Sequence, residues 1–155
     1  MITIVEANTK ELIKDFVLFP FSLYKNHRYW VPPIIKDELE TFNKTINPAF
    51  DSAEAHFYLA FKDNKIAGRI VAIINWNEVN TQQKKKVRFG WWDVIDDIEV
   101  TNALLSKVYE FGKSHQLEYV EGPMGFSNLD KVGVLTEGFD ELGSMITWYN
   151  YPYSN

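Results

Sequence analysis

Apolar positions change spacing several times along the chain, and each change marks an element. Residues 2–5 alternate as a short first strand. Asn8 or Thr9 can then cap a helix, and Glu11 stands at the capping-box offset from Asn8. Leu12, Phe16 and Phe19, with Ile13 and Val17 beside them, recur at helical spacing. Pro20 is expected to interrupt that helix, because it lacks an N–H and crowds the preceding turn. A short helical piece through Tyr24 follows. NHRYWVPP reads as a connector whose second proline opens a helix over 33–43, where Ile35, Leu39 and Phe42 repeat at four and three. NKTINPAFDSAEA is a loop of turn formers.

The middle of the chain turns to strand spacing. HFYLAF (56–61) and KIAGRIVAIINW (65–76) are strands joined across Lys62-Asp63-Asn64, a hairpin signal. Gly68 inside the second strand predicts a bulge or a close approach by another backbone. NEVNTQQKKK is a polar loop, and VRFGWWDV (87–94) a third, aromatic strand. Asp96 opens the best-defined helix, 97–114, with Glu99 as the other half of a capping box and Val100, Leu104, Val108 and Phe111 as its buried stripe. LEYVEG (117–122) is a further strand. The glycine-punctuated remainder ends in an aromatic tail, MITWYNYPYSN. This order predicts one α/β or α+β domain: a mixed, mostly antiparallel sheet flanked by helices.

Composition narrows the chemistry. A chain of 155 residues has one domain's length, and without cysteine it can hold neither disulfide nor thiolate. Its net charge of −5 is the wrong sign for a phosphate backbone, which argues against nucleic acid. No apolar run approaches the roughly 20 residues a membrane helix needs, and the first residues lack a secretory pattern, so the expectation is a cytoplasmic protein. Aromatic residues (11 Phe, 8 Tyr, 5 Trp) are unusually many, and point to a large core, an aromatic-lined groove or a surface meant to be covered.

Candidate sites are few. His27, His56 and His115 lack a second ligand at metal spacing, so no metal site is expected. Lys84 to Lys86 with Arg88 could form a polyanion patch, although a solvated hairpin loop is the simpler reading. Asp93, Asp96, Asp97 and Glu99 could gather a divalent ion. Three of them, however, lie where carboxylates cap a helix start. Arg69 reads as a surface or paired charge, and Trp91-Trp92 sends one ring to each face of its sheet.

FPFSLYKNHRYWVPPIIKDE, NPAFDSAEAHFYLAFKDNKIAGRIVAIIN and GPMGFSNLDKVGVLTEGFDELGSMITWYNYPY resemble the N-terminal half of a family of uncharacterised bacterial GNAT-like proteins, which have the acyl-CoA N-acyltransferase fold. The resemblance covers nearly the whole chain. It implies a single GNAT-like domain over 1–155 forming the N-terminal part of a longer acyl-CoA-dependent N-acetyltransferase, with acetyl-CoA or another acyl-CoA as its cofactor. GNAT enzymes hold the coenzyme A diphosphate on a Gln/Arg-x-x-Gly-x-Gly/Ala loop. The corresponding segment here, WDVIDDIEVTNALL, has neither glycine nor arginine, and its carboxylates would repel the ligand. The chain alone is therefore expected to be inactive and to bind no acyl-CoA tightly, and no cofactor-binding residue is assigned. The chemistry implied by the resemblance needs a carboxylate, which Asp93 or Glu121 could supply, and a proton donor, which Tyr149 could supply. The alternative is a non-catalytic GNAT-shaped module binding a small molecule or a protein. The tail from Gly143 to Asn155, with Met145, Ile146, Trp148, Tyr149, Tyr151 and Tyr153, is expected to meet the C-terminal half of the same polypeptide or a second copy.

Overall fold

Asp63 and Asn64 both take positive φ (51° and 63°), the mirror-image turn whose twist suits two neighbouring strands. They join β2 (Ala53–Lys62) to β3 (Lys65–Asn75), with Lys62 opposite Lys65. The computed structural model describes residues 1–143 and 147–155, so Met145 and Ile146 lie outside the described residues. Around that hairpin stand β1 (Ile2–Glu6), β4 (Lys86–Val94) and β5 (Tyr119–Glu121). The sheet order is β1-β2-β3-β4-β5, antiparallel throughout except for the parallel β4–β5 pair. The mixed, mostly antiparallel sheet read from the sequence is the one observed.

Alternation along β3 divides the core. Val71 and Ile73 pack with Phe16 and Val17 of α1 (Lys10–Leu23), and with Phe42 just after α2 (Ile35–Thr41). Ile70, Ala72 and Ile74 pack instead with Val100, Leu104 and Val108 of the helix that follows β4 (Ile98–Ser114). Each such fully buried aliphatic side chain contributes roughly 1.5–3 kcal/mol. Gly68 meets the bulge expectation, while its tightest approach is by a side chain rather than by another backbone. The β2–β3 register shifts beside it, and a Cβ there would lie 2.8 Å from Leu104 Cδ1.

Of the two cap candidates for α1, Thr9 serves, accepting from the Leu12 N–H. Two local expectations are corrected. Pro20 does not interrupt the helix, because the Phe16 carbonyl that it cannot serve accepts from Arg69 Nη1 at 2.9 Å. The polar loop after β3 begins as a short helix, α3 (Trp76–Asn80), capped by the Asn75 side chain; the long helix is thus α4. Among the described residues, no helix is long and apolar enough to cross a membrane.

Candidate functional site

The centre of the molecule is a bulge in β4. Arg69 pairs with Asp93 and Val71 with Gly90, so Trp91 and Trp92 together oppose Ile70. Trp91 has φ 43°, a left-handed conformation that a bulky residue enters only under constraint. The extra residue resets the alternation, so that Trp91 joins the α1/α2 core while Trp92 packs on the α4 side. The expectation of one ring on each face holds. Gly90 has its own reason: a Cβ there would sit 2.2 Å from the Met124 carbonyl oxygen, where the chain after β5 crosses β4.

Two buried guanidinium groups flank this bulge. Arg69, fully buried, donates from Nε to Asp93 Oδ2 at 2.8 Å. Its Nη2 is equally near that oxygen but off the hydrogen-bond line, an ionic contact only. Tyr24 donates its hydroxyl to Asp93 Oδ1 at 2.7 Å. Burial, and after it the Asp93 carboxylate, push the Tyr24 phenol far above its ordinary range. Asp93 is thus held in place with both oxygens engaged.

On the other side, Arg88 holds Glu78 through Nε (2.9 Å) and Nη2 (2.5 Å). It also donates to the Gly125 carbonyl (3.2 Å) and to Asn128 Oδ1 (2.7 Å), anchoring the loop beyond β5. Lys86 bridges Glu78 and Glu121. Burial works to raise the Glu78 carboxyl, but hydrogen bonds and charge from Arg88 and Lys86 outweigh it and hold the group below its ordinary value. The solvated-loop reading therefore fails for Lys86 and Arg88, which are both buried, and holds for exposed Lys84 and Lys85. Arg69 is likewise paired, but it is not at the surface.

Trp91 also lines a cavity of about 760 Å³ between α2 and the 126–131 loop. Its floor is Trp91 and Phe126, and Asp37, Glu38, Glu40 and Asp130 stand around it, with Lys131 as the one lining cation among the described residues. Glu38, buried, accepts from Trp91 Nε1 at 3.1 Å and lies 3.6 Å from Lys131 Nζ. Lys131 in turn sits 4.0 Å above the Trp148 ring.

The tail is seated on its own domain. Trp148 packs on Trp91, Tyr151 lies 5.1 Å from Tyr24, and Tyr153 donates to the Val94 carbonyl at 2.8 Å. Tyr149 Oη lies 2.8 Å from His27 Nε2. His27 Nδ1 accepts the Tyr29 N–H, so in the neutral ring the proton resides on Nε2 and is donated to Tyr149. That leaves the Tyr149 hydroxyl hydrogen free to be given elsewhere. At the start of α4 the cap is Asp97 rather than Asp96. Asp97 accepts from the Glu99 and Val100 N–H groups and pairs with Lys62, whose hydrogen bond holds its carboxyl below the usual value.

No family model matches the chain. Solved structures of similar shape include an aminoglycoside acetyltransferase from an uncultured soil metagenomic sample, with TM-score 0.51 and 15% identity over 81% of this chain and 77% of that one. A tandem GNAT protein from the clavulanic acid biosynthesis pathway matches with TM-score 0.54 and 13% identity, over 76% of this chain and 34% of that one. The chain has the GNAT acetyltransferase fold. By sequence it is 33% identical over 131 residues to protein YghO of Escherichia coli (strain K12), covering 84% of this chain and 33% of that protein. It is 26% identical over 140 residues to the bacterial ceramide synthase of Caulobacter vibrioides, covering 90% of this chain and 36% of that one. The chain therefore spans about a third of the length of the curated relatives it matches.

Within this GNAT fold, the structure brings together two of the three residues singled out from sequence. Asp93 and Tyr149 line one small cavity of about 10 Å³, room for about a single water, with Trp92, Pro123 and Trp148. Glu121 stands apart on β5, paired with Lys86. Sequence reasoning missed Tyr24, His27, Glu38 and Glu78. An arginine inside the apolar run of β3 did signal a buried partner, but nothing in the sequence pointed to those four.

Proposed function

We propose that this chain is the GNAT-like part of an acyl-CoA-dependent N-acyltransferase whose acceptor is a primary amine carried on an apolar body. The observation that supports it is the cavity beside the bulge. An aromatic floor suits an apolar body, and four carboxylates, of which Glu38 meets Lys131 and Glu40 meets Lys36, suit a cation. The likeness to a bacterial ceramide synthase points the same way. On this reading Asp93 is the fixed carboxylate of the centre and Tyr149 its proton donor, with Glu121 outside it.

The residues present do not fit a coenzyme A diphosphate at the start of α4. Asp97 already takes two of the free N–H groups there, and Asp96 and Glu99 add negative charge beside it. The acyl-CoA of the full reaction then belongs to sequence beyond the third of the relatives that this chain spans. The same mismatch favours a second reading, a GNAT-shaped module that binds its ligand without acyl transfer. On either reading the half-buried Tyr151 and the more exposed Tyr153 are offered to the continuing polypeptide or to a second copy.

Titration with dodecylamine and with dodecanol, followed by the Trp91 indole N–H resonance, tests the acceptor. Saturable binding of the amine with a shifted Trp91 signal is expected; equal binding of the alcohol, or a still Trp91, overturns it. Calorimetric titration with acetyl-CoA should give no saturable heat at low micromolar concentration.

A further inference from the structure

A second cavity, of about 610 Å³, lies on the opposite side of α2 from the acidic one, between the first turn of α1 and the β1–β2 edge. Its walls are Ala7, Ile13, Leu39, Phe42, Ala55 and Phe57. Its size is that of an ordinary small-molecule site. Lys10, Lys14 and Lys44 stand at its rim, all exposed, and no carboxylate pairs with any of them among the described residues. Glu6 is the single acidic residue there, and it is engaged with His56 Nδ1 at 2.6 Å. Three cations facing one occupied carboxylate is a local reversal of the chain's net charge of −5.

Several exposed lysines elsewhere in the chain are paired. Lys36, Lys85 and Lys107 each have a carboxylate within ion-pair distance. Lys25, Lys65, Lys84 and Lys113 are exposed and, among the described residues, without a carboxylate partner as well, but the three at this rim are gathered at the mouth of an apolar hole, with Lys44 also 5.9 Å from the Phe50 ring. An apolar interior asks for a hydrocarbon, and the unpaired lysines ask for a negative head group at the opening.

We infer that this second cavity binds a single-chain fatty carboxylate, with the chain among Ala55, Phe57 and Phe42 and the carboxylate at Lys10, Lys14 and Lys44. The site is separate from the proposed amine cavity and stands or falls without it.

The test titrates the chain with laurate, dodecanol and dodecylamine below their aggregation concentrations, by calorimetry and by the methyl resonances of Ala7, Ile13 and Ala55. Laurate should bind saturably, shift those methyls, and weaken as salt is raised. Dodecanol should bind at least about tenfold more weakly, in line with loss of several partly screened charge contacts. The variant Lys10→Glu/Lys14→Glu/Lys44→Glu changes only exposed side chains, and should fold as the parent does by circular dichroism while losing laurate affinity about tenfold or more. If that variant fails to fold, single Lys→Gln changes at the same positions, each expected to weaken binding by a smaller step, take its place. Equal affinity for laurate and dodecanol, an unaltered affinity in the folded variants, or methyl shifts confined to the acidic cavity overturns the proposal. Laurate held by vesicles but not from solution would do the same, since it would assign the lysines to a membrane surface.

Discussion

Arg69 and Arg88 are two buried cations on one face of one sheet, a few residues on either side of the β4 bulge, and they are built differently. Arg69 has a single carboxylate partner, Asp93, and spends its remaining reach on the α1 backbone. Arg88 shares Glu78 with Lys86, and Lys86 shares Glu121 with solvent. The first is a closed contact that would leave an uncompensated buried charge if broken. The second is a chain of charges that can redistribute. Burial alone therefore does not rank these arginines; the number of alternative partners does.

The largest effect should expose that difference. Arg69→Ala strands the Asp93 carboxylate and orphans the Phe16 carbonyl, and should cost about 3–5 kcal/mol in urea unfolding. Arg88→Ala leaves Lys86 beside Glu78 and should cost about 1–3 kcal/mol. Equal costs would erase the contrast.

A smaller effect separates the two clusters by pH. Glu78 is held below 4.5 when folded, so it binds fewer protons in the folded than in the unfolded state. Its contribution is present above about pH 4.5 and is lost as pH falls through the folded value. Tyr24 is shifted the other way. Its contribution is present below pH 10.0 and is lost as pH rises beyond it. Glu78→Gln should therefore flatten the acid limb of the stability curve and Tyr24→Phe the alkaline limb, the latter with a loss of about 1–2 kcal/mol near neutrality. Each variant altering the opposite limb would show that the clusters are not independent.

The smallest effect lies at the start of α4. Asp97→Ala should lower the unfolding midpoint, and Asp96→Ala should leave it in place. The reverse order would return the cap to Asp96.

Strands, the β2–β3 hairpin and the α4 stripe were legible because each is a local period in the sequence. The same holds for the two rings of Trp91-Trp92, even though the bulge that sorts them was not foreseen in β4. What escaped reading was set by distance along the chain. Lys86 looks like one more loop lysine until Glu78 and Glu121 fold around it. Tyr24 looks like the end of a helix until Asp93, 69 residues later, accepts its hydrogen bond. The cap of α4 was misplaced by one residue because Asp96 and Asp97 carry the same chemistry, and only backbone geometry tells them apart. The seat of the tail was not legible because its hosts are distant in sequence: Tyr24 and His27 far upstream, and Trp91 and Val94 on β4. The acidic cavity needed α2, β4 and the 126–131 loop together, and no single stretch carries its signature.

The proline in α1 turns this distance into an order of events. A helix is ordinarily the part of a protein that a peptide can form by itself, yet the second half of α1 is on loan from β3. The Phe16 carbonyl reaches its donor across 53 residues, so the turn that ends at Pro20 gains its missing bond only once the hairpin is in place. Contacts of that span close late, because loop closure must precede the bond that rewards it. A peptide covering residues 8–24 should be helical before its proline and frayed after it, and the helix completes itself only against the sheet it covers.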